Sequence, residues 1–344
     1  MRIGYDNTFT RGNLGGSGTY ARELRRALSA LCDIEVADLE GSGRGPLRSI
    51  SWLLRGAQRA ARRAGACLLH EPAPVPPLAV NVPLVLTIHD ASVFEYPDDF
   101  PRDWREFQIR VLPLLARRAR VIVTGSEHAK SEIVSGFGVH ADKVMVTPYG
   151  VTMPKTAPSR ENPGGAPVLV FVGAPLRRKN LDVVLRALAT PIGRRARARA
   201  AIVGANAIDY PRYQVMAKEL DVADRLDWFG RVPPKEMTRI FDSASALIYP
   251  SFHEGFGFPP LEAMARGLPV IASRESCLPE VLGDGAAFVD PRDEVAVAGA
   301  LERIAEDRDF HQQLVERGRQ RASQFTWDRC ARLTLEVYRR VCDT

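Results

Sequence analysis

Strand-like apolar runs and helix-like amphipathic stretches alternate along the whole chain, which argues for an α/β protein built on parallel sheets. The first half reads as a strand over 2–5, a loop with Gly12, Gly15, Gly16 and Gly18, a helix over 19–31 and a strand over 34–39. That is a βαβ unit with a glycine-rich turn after its first strand. A strand over 84–88, a helix over 104–118, a strand over 121–124 and a helix over 127–136 follow, and 143–151 closes the half. The stretch 154–167, rich in proline, glycine and serine, reads as a linker. The pattern then restarts at 168–173, with strands at 200–203, 226–229, 246–249 and 270–272 and late helices around 295–306, 310–324 and 327–341. The expected organisation is a first Rossmann-like domain over 1–155, a linker over 156–167, a second Rossmann-like domain over 168–325 and a terminal helix over 326–344. Two such domains facing each other would place an interdomain cleft at the carboxyl ends of both sheets.

A length of 344 residues suits two domains. No stretch is apolar enough to span a bilayer, and the N-terminus reads as a strand rather than a signal peptide, so the cytoplasm is the expected compartment. The net charge of +6 is carried mostly by arginine, a compositional bias rather than a nucleic-acid surface, and no nucleic-acid partner is expected. A helix expected over 44–63 carries Arg48, Arg55, Arg59, Arg62 and Arg63 beside Ile50, Trp52, Leu53 and Leu54. It suits either peripheral contact with an anionic membrane or an ordinary surface helix with its apolar stripe inward. Five scattered cysteines, Cys32, Cys67, Cys277, Cys330 and Cys342, lack metal-ligand spacing and read as reduced thiols.

The chemistry concentrates in the segment from His253 to Met264, where Glu254 and Glu262 are separated by seven residues. Gly255 and Gly257 keep the first part in a loop, and Pro259 and Pro260 suit a helix start. Leu261 to Arg266 then reads as helix, which places Glu262 in the first turn. A helix N-terminus between two carboxylates is an anion site flanked by two groups that hold hydroxyls. A nucleotide sugar fits that description, with ribose on one side of the diphosphate and hexose on the other.

This segment resembles the E-x7-E motif of the family 4 glycosyltransferases, retaining enzymes of the GT-B fold. The resemblance covers most of the chain and is strongest from Val168 to about Pro291. It implies that the first domain holds the acceptor and the second the nucleotide sugar, and that the helix begun by Phe325-Thr326-Trp327 crosses back to the first domain. It implies donor-sugar contacts for Glu254, ribose contacts for Glu262, a diphosphate-binding role for Lys179 with Arg178 beside it, and help from the backbone of Gly257, Phe258 and Leu261. The family's arginine after the glycine that ends this strand is Ala174 here, so a second cation comes from Arg177 or Arg178 or is absent. His89, ending a strand of the first domain, resembles the family's histidine near the donor sugar. The loop of Gly15, Gly16 and Gly18 is expected near the β-phosphate or acceptor, and Arg231 and Val232 near the base.

The expected reaction is retaining transfer from a UDP- or GDP-sugar to a glycan, lipid-linked or small-molecule acceptor, by front-side attack with no divalent metal or other cofactor. The segment from His89 to Pro97 resembles a mannosyltransferase-like branch, which favours GDP-mannose, while UDP-sugar users in natural-product pathways share it. Asp307-Arg308-Asp309 mimics a metal-binding motif of another transferase class and reads as surface, and the role of His253 stays open. Alternatives are a phosphorylase or sugar-phosphate synthase of the same fold, a non-catalytic nucleotide-sugar-binding protein, and an NAD-dependent Rossmann enzyme. The last lacks a G-x-G-x-x-G at the required spacing.

Overall fold

The computed structural model describes residues 1–8, 10, 15–41, 52–79, 81–154, 166–204 and 210–343. By its contacts the chain divides into two units, Met1–Gly150 with Phe325–Thr344, and Val151–Gln324. Each contains, among the described residues, one six-stranded sheet whose paired strands are all parallel. The two Rossmann-like folds read from the sequence are therefore present. The linker expected over 156–167 falls mostly outside the described residues.

In the first unit β1 (Arg2–Asp6), β2 (Glu35–Leu39), β3 (Leu68–Glu71), β4 (Leu84–Thr87), β5 (Val121–Thr124) and β6 (Val144–Val146) lie in the order β2-β1-β3-β4-β5-β6. Strands β3, β4 and β5 are buried at every position, as expected of a parallel sheet covered on both faces. The alternation pattern missed β3, because His70 and Glu71 interrupt its apolar run.

In the second unit β7 (Val168–Val172), β8 (Arg199–Val203), β9 (Leu226–Gly230), β10 (Ala246–Tyr249), β11 (Val270–Ser273) and β12 (Ala287–Val289) lie in the order β12-β11-β10-β7-β8-β9. This is the order of a dinucleotide-binding sheet, and its direction of winding reverses between β7 and β10. In the first sheet the reversal lies between β1 and β3. Open α/β sheets bind ligands at the carboxyl ends of the strands at such reversals.

Several local expectations are corrected. The first helix spans Gly16–Leu28, and the Gly15 carbonyl accepts the Thr19 N–H at 3.0 Å. Gly16 and Gly18 therefore lie in its first turn rather than in a loop, while Gly12 lies outside the described residues. The expected helix over 104–118 resolves into Arg102–Glu106, a π-helical turn Phe107–Val111 and Leu112–Ala116. Pro113 has no N–H to continue the regular ladder there. Of the basic helix expected over 44–63, residues 44–51 lie outside the described residues; Ala57–Arg63 buries Ala57, Gln58 and Ala61 and exposes Arg59, Arg62 and Arg63, as an ordinary surface helix does. No described helix is long and apolar enough to cross a membrane.

The C-terminal helix, Trp327–Cys342, packs on Gly16–Leu28 and on β3. Its start lies so close to Gly150 that a Cβ there would stand 2.4 Å from the Trp327 backbone nitrogen. Its end is joined covalently to the residue before β3. Cys342 and Cys67 form a disulfide with Cα atoms 6.0 Å apart, correcting the expectation of reduced thiols. Their separation of 275 residues gave no hint of the pairing, which the docking of the helix creates.

Candidate functional site

The second unit gathers its candidate residues at the β7/β10 reversal. After β7 the chain makes the short turn Arg177–Lys179 and enters the helix Leu181–Ala189 through Asn180, held in a left-handed conformation. Asn180 Nδ2 donates to the carbonyls of Pro250 at 3.2 Å and Pro291 at 2.6 Å, and the Phe252 N–H donates to the Arg178 carbonyl at 2.8 Å. These bonds tie the turn after β7 to the loop after β10. They bring Lys179 and Glu254 into an ion pair whose side chains are only 13% and 9% exposed. Lys179 Nζ also donates to the Tyr249 hydroxyl at 3.1 Å, and the Glu254 N–H donates to Ser276 Oγ at 3.1 Å.

Burial pushes the Glu254 carboxyl up, but the charges of Lys179 and Arg178 and the hydrogen bond from Lys179 outweigh it, so its pKa falls below the ordinary value. Burial, and then the Glu254 charge, push the Tyr249 phenol well above its usual range. The group is thus an ionised acid, a cation and a neutral phenol in a nearly dry setting. Arg178 is half-buried within the electrostatic reach of Glu254, while Arg177 is exposed.

The loop after Glu254 leads into the helix Phe258–Ala265, capped by Gly257 at φ 91°, a conformation that favours glycine. A helix start leaves four backbone N–H groups without partners from its own ladder. Pro259 and Pro260 remove two, so the remaining donors at this end belong to Gly257 and Phe258. Because the helix starts at Phe258, Glu262 lies in the second turn rather than the first. It is half-buried, and desolvation raises its pKa to about 7 against the opposing pull of Arg266. Leu261 is fully buried, so its side chain packs the core. Arg231 and Val232 follow β9, the sheet edge, two strands away from β7 and apart from the Lys179–Glu254 pair in sheet order.

The first unit holds its own constellation at strand ends. His89 follows β4; its Nδ1 lies 2.9 Å from the Tyr149 hydroxyl, and its Nε2 is buried without a hydrogen bond. Burial lowers its pKa to about 4, so the imidazole is neutral. Gly15 and Gly16 are exposed at the start of the first helix and Gly18 is buried.

Sequence reasoning missed Asp6 and Glu71, which end β1 and β3 at the reversal of this sheet. Asp6 accepts the Thr8 N–H at 2.9 Å and the Trp52 indole N–H at 2.7 Å, and its carboxyl is hydrogen-bonded to that of Glu71. Burial, and then the Asp6 charge, push Glu71 well above the carboxylate range, and its Oε1 has no hydrogen-bond partner. The available signal was the polar pair His70-Glu71 inside an apolar run. His70, neutral with a pKa lowered to about 3 by burial, joins the Tyr338 hydroxyl of the C-terminal helix to Thr87 Oγ1, the latter at 2.8 Å.

Residues 153–321 match the family described as glycosyl transferases group 1, and residues 14–153 match glycosyltransferase family 4. The O-antigen chain mannosyltransferase B of Escherichia coli is 29% identical over 272 residues, covering 74% of this chain and 70% of that protein. A D-inositol 3-phosphate glycosyltransferase of Acidothermus cellulolyticus is 30% identical, covering 75% and 62%. The chain thus spans about two thirds of the length of such relatives. Among solved structures, sucrose-phosphate synthase from Thermosynechococcus elongatus superposes with a TM-score of 0.79 at 20% identity, covering 99% of this chain and 98% of the other. HepE of Anabaena in complex with UDP-glucose superposes with a TM-score of 0.76 at 18% identity, covering 98% and 99%. At these identities the likeness speaks for the fold alone.

Proposed function

The chain belongs to the family 4 glycosyltransferases, and on that premise we propose that it moves a hexose from a UDP- or GDP-sugar to an acceptor hydroxyl with retention of configuration. The observation that carries this reading is the Lys179–Glu254 pair at the β7/β10 reversal, next to the N-terminus of Phe258–Ala265. In the absence of a donor each charge neutralises the other. A sugar diphosphate satisfies both separately: its phosphate oxygens take the lysine, and its sugar hydroxyls donate to the carboxylate.

Each residue then has a task. Lys179, Arg178 and the backbone N–H groups of Gly257 and Phe258 stabilise the charge that gathers on the leaving diphosphate. Glu254 fixes the sugar while its anomeric carbon becomes oxocarbenium-like. Glu262 accepts from the ribose hydroxyls, and His89 donates to an oxygen of the donor. Cationic side chains serve the leaving group without a divalent ion, and the departing phosphate takes the acceptor proton in a front-side attack. The mannosyltransferase among the relatives supports GDP-mannose as the first donor to test, and HepE with UDP-glucose supports UDP-sugars as the second.

The test is a thermal-shift panel with UDP, GDP, ADP, TDP and NAD, followed by transfer assays with and without EDTA, since a ligand of the folded state raises the melting temperature. A shift confined to UDP or GDP and EDTA-resistant transfer are expected. A shift with NAD alone, or a strict metal requirement, refutes the respective part of the proposal. Lys179→Ala is expected to weaken the nucleoside diphosphate more than the monophosphate, and equal losses would remove the diphosphate assignment.

A further inference from the structure

Tyr149 is fully buried in the first unit, one residue before that unit's boundary at Gly150. Its hydroxyl lies 2.9 Å from His89 Nδ1. The Tyr20 ring stands edge-on to the imidazole, with centroids 5.3 Å apart, and lies against Tyr149 at 4.4 Å. Tyr20 is anchored in turn by its hydroxyl, 3.2 Å from Thr87 Oγ1, which also meets His70. The His89 ring is therefore held on two sides by aromatic rings that are themselves fixed.

Proton placement follows from acid–base strength. The phenol is a stronger acid than a neutral imidazole N–H, and an imidazole nitrogen is a stronger base than a phenol oxygen. The bond at 2.9 Å is thus donated by Tyr149 to Nδ1. Thr124, also beside Tyr149, lowers the phenol pKa and so acts as a donor to its oxygen rather than as a competitor for its proton. With Nδ1 accepting, the one ring proton of a neutral imidazole resides on Nε2.

We propose that Tyr149 is a positioning residue for His89, holding the imidazole in its Nε2–H tautomer so that His89 meets the donor as a neutral hydrogen-bond donor. This rests on the reading of His89 as a donor-sugar contact. A consequence is that His89 does not act as a general base: Nδ1 is engaged by Tyr149, and Nε2 carries its proton and offers no lone pair. Burial keeps the ring from protonating near neutral pH, with the Asp90 charge and the Pro72 carbonyl pulling the other way.

The test is long-range proton–nitrogen NMR of the histidine rings in nitrogen-15-labelled full-length protein, with the His89 signals identified by their loss in His89→Gln. The wild type is expected to show a protonated Nε2 and a bare Nδ1 through neutral pH. Tyr149→Phe removes the donor without changing the ring volume, and His89 is expected to shift to a tautomer mixture or to protonate at higher pH. Finding Nδ1–H in the wild type, or an unchanged tautomer in Tyr149→Phe, overturns the proposal. In transfer assays Tyr149→Phe is expected to lower kcat by about tenfold or more with the affinity for free UDP or GDP kept. Wild-type turnover beside a shifted tautomer removes the positioning role. A wild type that turns over no nucleotide sugar counts against the functional reading, while its ring spectrum still decides the tautomer. Should Tyr149→Phe fail to fold, the wild-type spectrum alone carries the decision.

Discussion

Lys179 and Glu254 stand 75 residues apart in the chain and meet as a nearly dry ion pair, the lysine reaching the Tyr249 hydroxyl as well. Removing one partner from such a pair leaves the other charge buried and unpaired, at a cost of about 3–5 kcal/mol. Lys179→Met and Glu254→Gln are each expected to destabilise the ligand-free protein in urea unfolding, because each strands the charge of the other. The double variant is expected to recover part of the loss. A double variant less stable than both singles would refute this account of the pair.

Glu262 carries a pH dependence with a definite sign. Its folded pKa is raised to about 7, above the unfolded value of about 4.3. Its contribution to stability is fully present below the unfolded value and is lost as pH rises through the folded one. Under the proposed ribose contact nucleotide binding runs the other way, since ribose hydroxyls would donate to the ionised carboxylate. Affinity for UDP or GDP is therefore expected to climb between about pH 6 and about pH 8, and Glu262→Gln to flatten that climb. Calorimetric titrations at the two pH values decide it; a wild-type affinity independent of pH would remove the ribose contact.

Glu71 is held as a protonated acid beside Asp6, its pKa raised by burial and then by the Asp6 charge. The same sign applies: the protonated group stabilises the fold at low pH, and the advantage fades as pH rises from the unfolded value of about 4.3 toward the raised folded one. Glu71→Gln, a neutral isostere, is expected to leave stability nearly unchanged below about pH 4 and to improve it progressively as pH rises above that value. Urea midpoints measured across that range test this, and a stability difference that does not widen with pH would count against a protonated Glu71.

Cys67 and Cys342 tie the start of β3 to the end of the C-terminal helix, while Cys32, Cys277 and Cys330 are free. Alkylation of the unreduced, denatured protein is expected to label three cysteines, and all five after reduction. Reduction is expected to cost about 2–4 kcal/mol of stability, the usual effect of a disulfide. Cys342→Ser should show the lower stability without reductant and no further loss with it. Five labelled cysteines before reduction would exclude the bond.

The local setting of Glu254, Glu262 and Lys179 was legible in the sequence: glycines that open a loop, prolines that start a helix, and a basic turn after an apolar strand. The details of that setting shifted where neighbours intervened. Pro259 and Pro260 entered the helix rather than preceding it, which moved Glu262 by a turn. Glycines at 16 and 18 joined the first helix because the Gly15 carbonyl accepts the Thr19 N–H. Strand β3 stayed hidden because His70 and Glu71, polar by type, are buried through bonds to Tyr338, Thr87 and Asp6.

The alternation of apolar runs and amphipathic stretches by itself determined the α/β class and the two Rossmann-like folds, and the glycines and prolines after Glu254 marked a helix start, since these follow from periodicity and local backbone chemistry. Only the tertiary structure decided that Lys179 pairs with Glu254, that Tyr149 bonds His89, that Glu71 shares its burial with Asp6, and that Cys67 meets Cys342. Each of these is a contact between groups distant in sequence, fixed by strand order and helix docking. Protonation state, tautomer and charge pairing depend on the burial and neighbours that such contacts create, and no local pattern encodes them.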